Sequence, residues 1–543
     1  MSQSQEMIVL HPHYYLDNFT SITNTIAARY LDLLTEAERN WLTTFSALPL
    51  GAKLLLVRLL SRTGNWFRRD KLSYAEIEDI DAALVALERA KMVSLSHQPP
   101  FDVMASLLTK PELLSLFSHL HLKSTLRKPQ IVESISATLT PEQTPRLTTP
   151  CICVHHDVMP VFLLLYFGNS RQDLSQFVLN DLGIYRFESV TLRQEDRLFT
   201  NRDQIENWLK LSELADLCWQ YAEAKNRAGI LALATSLPPK PDWSPLSRKW
   251  ERLANHIARD MEREEQLDDA QALYQQSTLP PARERLARIA IKQGAFEDAA
   301  NYVNDMLGNP FNEDEHDVAC RLARQLSKKT AISAPEKTVD QFEQHTITLA
   351  LNQRVELETA HHYAQLGWRV WYTENCLLNA LFGLLYWDII FAPIPGAFLN
   401  PFQRGPRDMY SSEFLAARQR LIEARNAEFL AGNFDLLAVY DAKSGLANDW
   451  VNWQWIDRTL LEAALETITP RQLISCLSRL LFDRRANRSG HPDLFMVKGS
   501  ECQFVEVKGP GDKLQHHQVR WLNFLNGQSI KASVTFVKEN TER

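Results

Sequence analysis

Gly490-His491-Pro492-Asp493-Leu494-Phe495-Met496-Val497-Lys498-Gly499-Ser500-Glu501-Cys502-Gln503-Phe504-Val505-Glu506-Val507-Lys508-Gly509-Pro510 holds two short apolar runs on either side of a Gly-Ser pair. That arrangement predicts a two-residue hairpin turn. With Gly499-Ser500 as the turn, Lys498 faces Glu501 and, counting outward, Asp493 faces Glu506. Side chains alternate along a strand, so Lys508 joins Glu506 on one side while Val507 points away. Like charges opposed across a sheet repel, so two carboxylates in one patch call for a neutralising partner. A divalent cation with oxygen ligands, Mg²⁺ or Mn²⁺, meets that need, and a neighbouring lysine orients the attacking water. The chemistry expected is phosphodiester hydrolysis.

Working outward, three arginines, Arg484, Arg485 and Arg488, stand directly before the hairpin and are candidates to hold the cleaved strand. Behind it, the spacing predicts an amphipathic helix from Gln515 to Leu525, which brings Gln518 to the rim of the site, and a closing strand over Ser533 to Val537. Upstream, Thr373 precedes an apolar stretch and is expected to cap a helix from Glu374 to about Phe391. Trp450, Trp453 and Trp455 are expected to belong to a core or an interface.

Bulk properties narrow the function class. The chain has 543 residues, 45% hydrophobic and 23% charged, which is normal for a multidomain globular protein. Its longest apolar run, Leu377 to Phe391, is broken by Asn379 and Asp388 and ends before Pro393, too short and polar for a membrane span. The start of the sequence, Met1 to Glu6, has no basic segment followed by an apolar core, and the seven cysteines are odd in number and mostly isolated. A reduced cytoplasmic setting is expected, nucleoid-associated if the source is bacterial. Cys151-Ile152-Cys153-Val154-His155-His156 lacks a second ligand pair at zinc-finger spacing. The net charge of −7 excludes indiscriminate coating of nucleic acid, so a DNA enzyme of this balance must gather its positive charge locally.

Such gatherings exist. Arg62, Arg68, Arg69 and Lys71 surround Trp66 in a basic turn after an apolar helix, and Lys123, Arg127 and Lys128 sit between two leucine-rich helical segments. Each group suits phosphate contact. The Thr-Pro-rich stretch Thr140 to Pro150 predicts a linker, and helical periodicity returns after it.

Pro492-Asp493-Leu494, Val505 to Pro510, Asp512-Lys513-Leu514, His516, Gln518 and Trp521 resemble the VRR-type nuclease module of the PD-(D/E)xK superfamily. Gly383 to Phe391 with Glu374, and Leu56 to Leu60 with Trp66 and Lys71 to Tyr74, are similar to the Fanconi-associated nuclease family. The resemblance implies a mostly α, multidomain chain with a C-terminal α/β restriction-endonuclease-like domain. Four domains are expected: a winged-helix-like one over 1–98, a SAP-like one over 99–145, a tetratricopeptide-like scaffold over 146–335 and the nuclease over 336–543. It also implies that Glu374 is a metal ligand with Asp493, Glu506 and the Val507 carbonyl, that Lys508 and Gln518 serve catalysis, and that the substrate is flapped or branched DNA in interstrand crosslink repair. A repair-protein partner on the scaffold is the further partner considered. Two other readings are a related endonuclease such as a junction resolvase, and a noncatalytic adaptor.

Overall fold

The structure, a computed structural model, describes residues 11–139, 144–170, 186–336 and 339–540. The chain divides into two compact units, one of residues 1–185 with 199–205, the other of 186–198 with 206–543.

The first unit begins with helices Tyr14–Tyr30, Glu36–Ala47 and Leu50–Leu60. Thr35 and Glu38 close a capping box on the second helix, satisfying donors that a helix start otherwise leaves bare. Leu50–Leu60 is apolar nearly all round and is buried accordingly. Three short strands follow, Trp66–Arg68 (β1), Val93–Ser96 (β2) and Cys151–Val154 (β3), paired antiparallel in the order β1-β3-β2. Helix Ile80–Arg89, capped by Asp79, leads into β2.

This sheet corrects the expected domain boundary. β3 lies after the Thr-Pro stretch, yet it is the central strand, and Leu147 N donates to His97 O at 2.8 Å on the way in. The apolar helix Met159–Phe167 also belongs here, with the Phe162 ring 5.4 Å from Trp41. The SAP-like segment is therefore an insertion between two strands of the winged-helix sheet, and residues 146–170 are not part of the scaffold. Thr140 to Gln143 of the expected linker lie outside the described residues. The insertion has its own small core of Met104, Leu108, Leu113, Phe117, Ile131 and Ile135. Cys151 and Cys153 both lie in β3.

In the second unit, helices Ser244–Arg263, Leu267–Tyr274, Ala282–Gln293, Phe296–Gly308 and Glu313–Leu326 stack each on its chain neighbour, as tetratricopeptide-like pairs do. Gly294, in the left-handed region at φ +81°, closes the third of these. The nuclease domain follows as a five-stranded mixed sheet. Its strands are Glu343–Leu349 (β4), Arg369–Tyr372 (β5), Leu494–Lys498 (β6), Glu501–Lys508 (β7) and Lys531–Glu539 (β8), in the order β4-β8-β7-β6-β5. β6 is antiparallel to β5 and β7, whereas β8 is parallel to β7 and β4.

Both faces of this sheet are covered, which is why β6 reads as a continuous apolar run. Leu494, Met496, Val505 and Val507 pack toward helix Val355–Gln365, and Phe495, Val497 and Phe504 toward Trp521 of helix His516–Gly527 and the larger core. Helix Leu377–Leu385 lies in that core and approaches the segment after it closely. A Cβ on Gly383 would stand 2.8 Å from Val451 Cγ2, so only glycine fits there. Among the described residues no helix is long and apolar enough to cross a membrane.

Candidate active site

Gly499 adopts φ +61° and turns β6 into β7 with Lys498 opposite Glu501 and Leu494 opposite Val505. The expected register holds, and Asp493, one residue before β6, comes level with Glu506. Asp493 Oδ2 accepts from Val507 N at 2.8 Å, which fixes the carboxylate against the strand that carries its partner. Glu506 is 1% exposed, and its Oε1 receives both Lys508 Nζ at 2.7 Å and Gln518 Nε2 at 2.6 Å. Its other oxygen, Oε2, is buried with no hydrogen-bond partner among the described residues. Gln518 is itself held: its Oε1 accepts from Gln515 N at 2.9 Å in the capping box that starts helix His516–Gly527. One amide thus both begins the helix and steadies the carboxylate.

Glu374 reaches the site from a turn rather than from a helix. The expected cap at Thr373 does not form: the helix begins at Leu377, and the Thr373 hydroxyl is buried without a partner. Asn375 takes a left-handed φ of +51°, and the turn is stitched to the hairpin by backbone instead. Thr373 N donates to Asp493 O at 2.7 Å, and His491 N donates to Asn375 Oδ1 at 3.1 Å. Asn379 then bridges Asn375 O and Arg488 O at 2.7 and 2.8 Å. The exposed Glu374 carboxylate accepts from the Tyr372 hydroxyl, which in turn accepts from Arg354 Nη2 at 3.0 Å. A second close approach guards this corner. Gly490 has φ +85°, and a Cβ there would fall 2.9 Å from the His517 carbonyl carbon, so the helix bearing Gln518 can lie directly on the segment bearing Asp493.

Electrostatics match this arrangement. Burial is the main cause that raises both the Asp493 and the Glu506 carboxyl well above the ordinary range. Mutual repulsion adds to it: Glu374 and Glu356 act on Asp493, and Asp493 and Glu374 act on Glu506. The Val507 amide and Lys508 oppose the rise without cancelling it. Such a group of carboxylates stays ionised together only when positive charge comes closer than the lysine alone brings it. Among the described residues no three acidic side chains converge at ligating distance on one point, because Glu506 is turned onto Lys508 and Gln518. The donor set nevertheless fits a hard divalent cation, and the orphaned Glu506 Oε2 is an acceptor in want of one.

The arginines predicted to flank the site separate. Arg484 is corrected: its guanidinium is buried and donates to the carbonyls of Met409, Leu481 and Ser411, so its charge is largely spent within the protein although it lines the same cavity as Arg485. Arg488 donates to the Tyr410 hydroxyl and to Asp449 O. Arg485 is exposed and lies over the Tyr410 ring. It lines a cavity of about 540 Å³ with Arg248, Arg252, Asn312, Tyr410 and Ser411. Arg248 is tied to Glu413, whereas among the described residues Arg252 and Arg485 have no carboxylate partner. Close packing and the charges of Arg485 and Arg248 lower the Arg252 pKa. Sequence reasoning missed Arg248 and Arg252, although their four-residue spacing on one helix is a signal of a shared face. It also missed Glu356, which no motif marks.

In the winged-helix and SAP-like segments, Arg68 pairs with Asp70 and Glu112, each at 2.7 Å, and Arg69 with Asp81 at 2.7 Å. Arg62, Lys71, Lys123 and Arg127 are exposed, while Lys128 is half-buried with Nζ 3.4 Å from Ser106 O.

Residues 13–94 match the family described as FAN1, HTH domain, residues 101–146 the Fanconi anemia-associated nuclease SAP domain, and residues 435–539 the VRR-NUC domain. The chain is 34% identical to the Fanconi-associated nuclease 1 homolog of Pseudomonas aeruginosa, over 97% of this chain and 96% of that one. It is 26% identical to the homolog of Oryza sativa subsp. japonica, covering 97% of this chain and 63% of the other. The crystal structure of paFAN1 bound to 2nt 5'flap DNA with gap superposes with a TM-score of 0.82 at 33% identity, covering 98% of this chain and all of that one.

Proposed function

Because the chain belongs to the Fanconi-associated nuclease family, we propose that it is a Mg²⁺- or Mn²⁺-dependent nuclease that hydrolyses phosphodiester bonds near 5' flaps and in branched DNA, in interstrand crosslink repair. The observation that carries the chemistry is the buried pair of Asp493 and Glu506 with Lys508 beside it and one Glu506 oxygen left without a partner.

Asp493, Glu506, Glu374 and the Val507 carbonyl would hold the cation. When bound, it supplies Lewis-acid stabilisation of the charge that develops on the phosphate and the leaving 3'-oxygen. The protein's own groups do the rest. Lys508 donates a hydrogen bond that orients the attacking water and offsets negative charge as the phosphate becomes five-coordinate. Gln518 keeps Glu506 from rotating, and the Val507 amide does the same for Asp493. Glu374, exposed at the rim, would complete the ligand set. Arg252 and Arg485, without carboxylates of their own, suit a substrate phosphate placed in the neighbouring cavity. Arg62, Lys71, Lys123 and Arg127 are exposed and suit contact with the duplex backbone, Lys71 from beside Asp70 at 3.9 Å.

The test is cleavage of a labelled 5' flap. Asp493→Ala and Lys508→Ala are expected to lose cutting by about 10³-fold or more, on the scale of removing a charge-stabilising catalytic group, while both still bind the DNA. Full cutting by both variants overturns the catalytic assignment. Cleavage of four-way junctions in preference to flaps would make the enzyme a resolvase instead.

A further inference from the structure

The three tryptophans after residue 449 do not share one role. Trp450 is buried, with its ring 4.1 Å from that of Phe382. Trp453 is half-buried and donates its indole N–H to Leu446 O at 2.7 Å. Trp455 is 47% exposed, at the end of a turn held by Trp455 N donating to Asn452 O. Water contact over half of an indole is unfavourable, and nothing in the core's packing requires it.

The location of Trp455 gives the exposure a use. Its ring meets Tyr372 edge to face, 5.4 Å between centroids at 65°. Tyr372 ends β5, an edge strand of the sheet, and donates a hydrogen bond from its hydroxyl to Glu374. Arg354, with its side chain 56% exposed, lies over the same tyrosine ring at 5.1 Å, donates to its hydroxyl, and pairs with Glu356 at 3.4 Å. Trp455, Tyr372 and Arg354 therefore form a short wall that starts in solvent and ends at the carboxylate on the rim of the active site. An indole and a guanidinium, both exposed and both in contact with one tyrosine, have the composition of a single-strand binding surface: a ring for a base and a cation for the adjoining phosphate.

We propose that Trp455 is a base-stacking residue at the mouth of the active site, taking a nucleobase one or two nucleotides from the phosphate that Glu374, Asp493 and Glu506 address. The ligand class is a base of an unpaired or frayed DNA strand, accepted without regard to sequence because every base offers a π face. This inference rests on the nuclease reading above. It goes beyond it in saying which part of the strand is gripped beside the cut.

The competing role, Trp455 as a mere prop for Tyr372, predicts different observables. A prop acts through Glu374, so its loss lowers kcat and the affinity for Mn²⁺. A stacking residue acts on the strand, so its loss raises KM and exposes one particular base. The experiment uses the full chain and 5' flap substrates with 2-aminopurine at successive positions across the flap junction, read without divalent cation so that the strand stays whole. The native chain is expected to quench the probe at one or two adjacent positions. Trp455→Ala should abolish that quench and raise KM about tenfold, with kcat within about twofold and an unchanged melting temperature. Trp455→Phe should restore most of the quench. The proposal is overturned if Trp455→Ala keeps quench and KM, or if it lowers kcat and Mn²⁺ affinity while the quench persists. A native chain that binds flaps but never cuts them defeats the nuclease reading, whereas cutting by a native chain that Trp455→Ala matches in every respect defeats the stacking role alone.

Discussion

Two arginine-rich places in this molecule look alike in sequence and differ in what their charges are doing. In the basic turn around β1, Arg68 is shared between Asp70 and Glu112 and Arg69 is bound to Asp81, so most of the local positive charge is spent within the protein. In the cavity beside the nuclease core, Arg252 and Arg485 face one another's field with only Arg248 of the trio neutralised, by Glu413. A run of arginines marks charge, but only the absence of carboxylates marks charge kept for a ligand. Gathering unpaired guanidiniums costs stability, and a phosphate recovers it.

The sharpest way to break this contrast is charge reversal in both places. Arg252→Glu with Arg485→Glu is expected to weaken flap binding by roughly a hundredfold, two lost charge-assisted contacts at about 1.5–3 kcal/mol each being only partly additive. The dependence of log K on log salt should flatten by about 2, close to one unit per phosphate contact. Arg68→Glu should instead lower the melting temperature and leave the salt slope within about one unit. A slope that falls equally in the two cases would show that pairing with Asp70 and Glu112 does not withdraw Arg68 from DNA.

A second test applies the same reasoning to the carboxylates. An acidic group held together by burial and repulsion should welcome a cation even without DNA. Mn²⁺ at tenfold excess over its Kd is expected to stabilise the folded chain by about 1.4 kcal/mol, seen as a rise in melting temperature. Glu506→Gln should remove most of that rise. If the native chain melts at the same temperature with and without Mn²⁺, the site needs the substrate phosphate to complete its ligands.

What sequence alone revealed follows from how local each signal is. The hairpin register was readable because a Gly-Ser turn and period-two alternation fix it within twenty residues, and Asp493, Glu506 and Lys508 came with it. Glu374 is a candidate through family resemblance alone, and its setting is a turn rather than the helix start that the sequence predicts. A threonine before an apolar stretch is a good cap signal, yet here the Thr373 backbone is taken by Asp493 O and Asn375 turns left-handed to meet His491. That partner lies more than a hundred residues away, where no local rule looks. Arg484 failed for a similar reason, since the carbonyls of Met409 and Ser411 that absorb it come from a distant connector. The domain boundary near residue 146 failed because Cys151–Val154 completes a sheet begun at Trp66, and strand pairing across an inserted module leaves no composition change at the point of return. Trp455 differs from Trp450 only in what covers it, which sequence does not contain.

The smallest expected effect tests whether Arg68 is structural. Glu112 sits at the third position of helix Lys110–Leu116, and its carboxylate is held down to about 2, first by the Thr109 backbone N–H and then by Arg68. A carboxyl whose pKa is lower folded than unfolded adds stability above its unfolded value, about 4.5, and loses it as pH falls toward the folded value. The side chain is one-third exposed, so solvent screening limits the pair to roughly 0.5–1 kcal/mol. Glu112→Gln keeps an oxygen for the Thr109 amide and removes only the charge. At pH 7 the native chain should therefore be the more stable by that amount in urea melts, and the gap should close between about pH 4.5 and pH 2. A gap that persists unchanged through that window would mean that Arg68 contributes nothing by pairing with Glu112, and its guanidinium would return to the set available for phosphate.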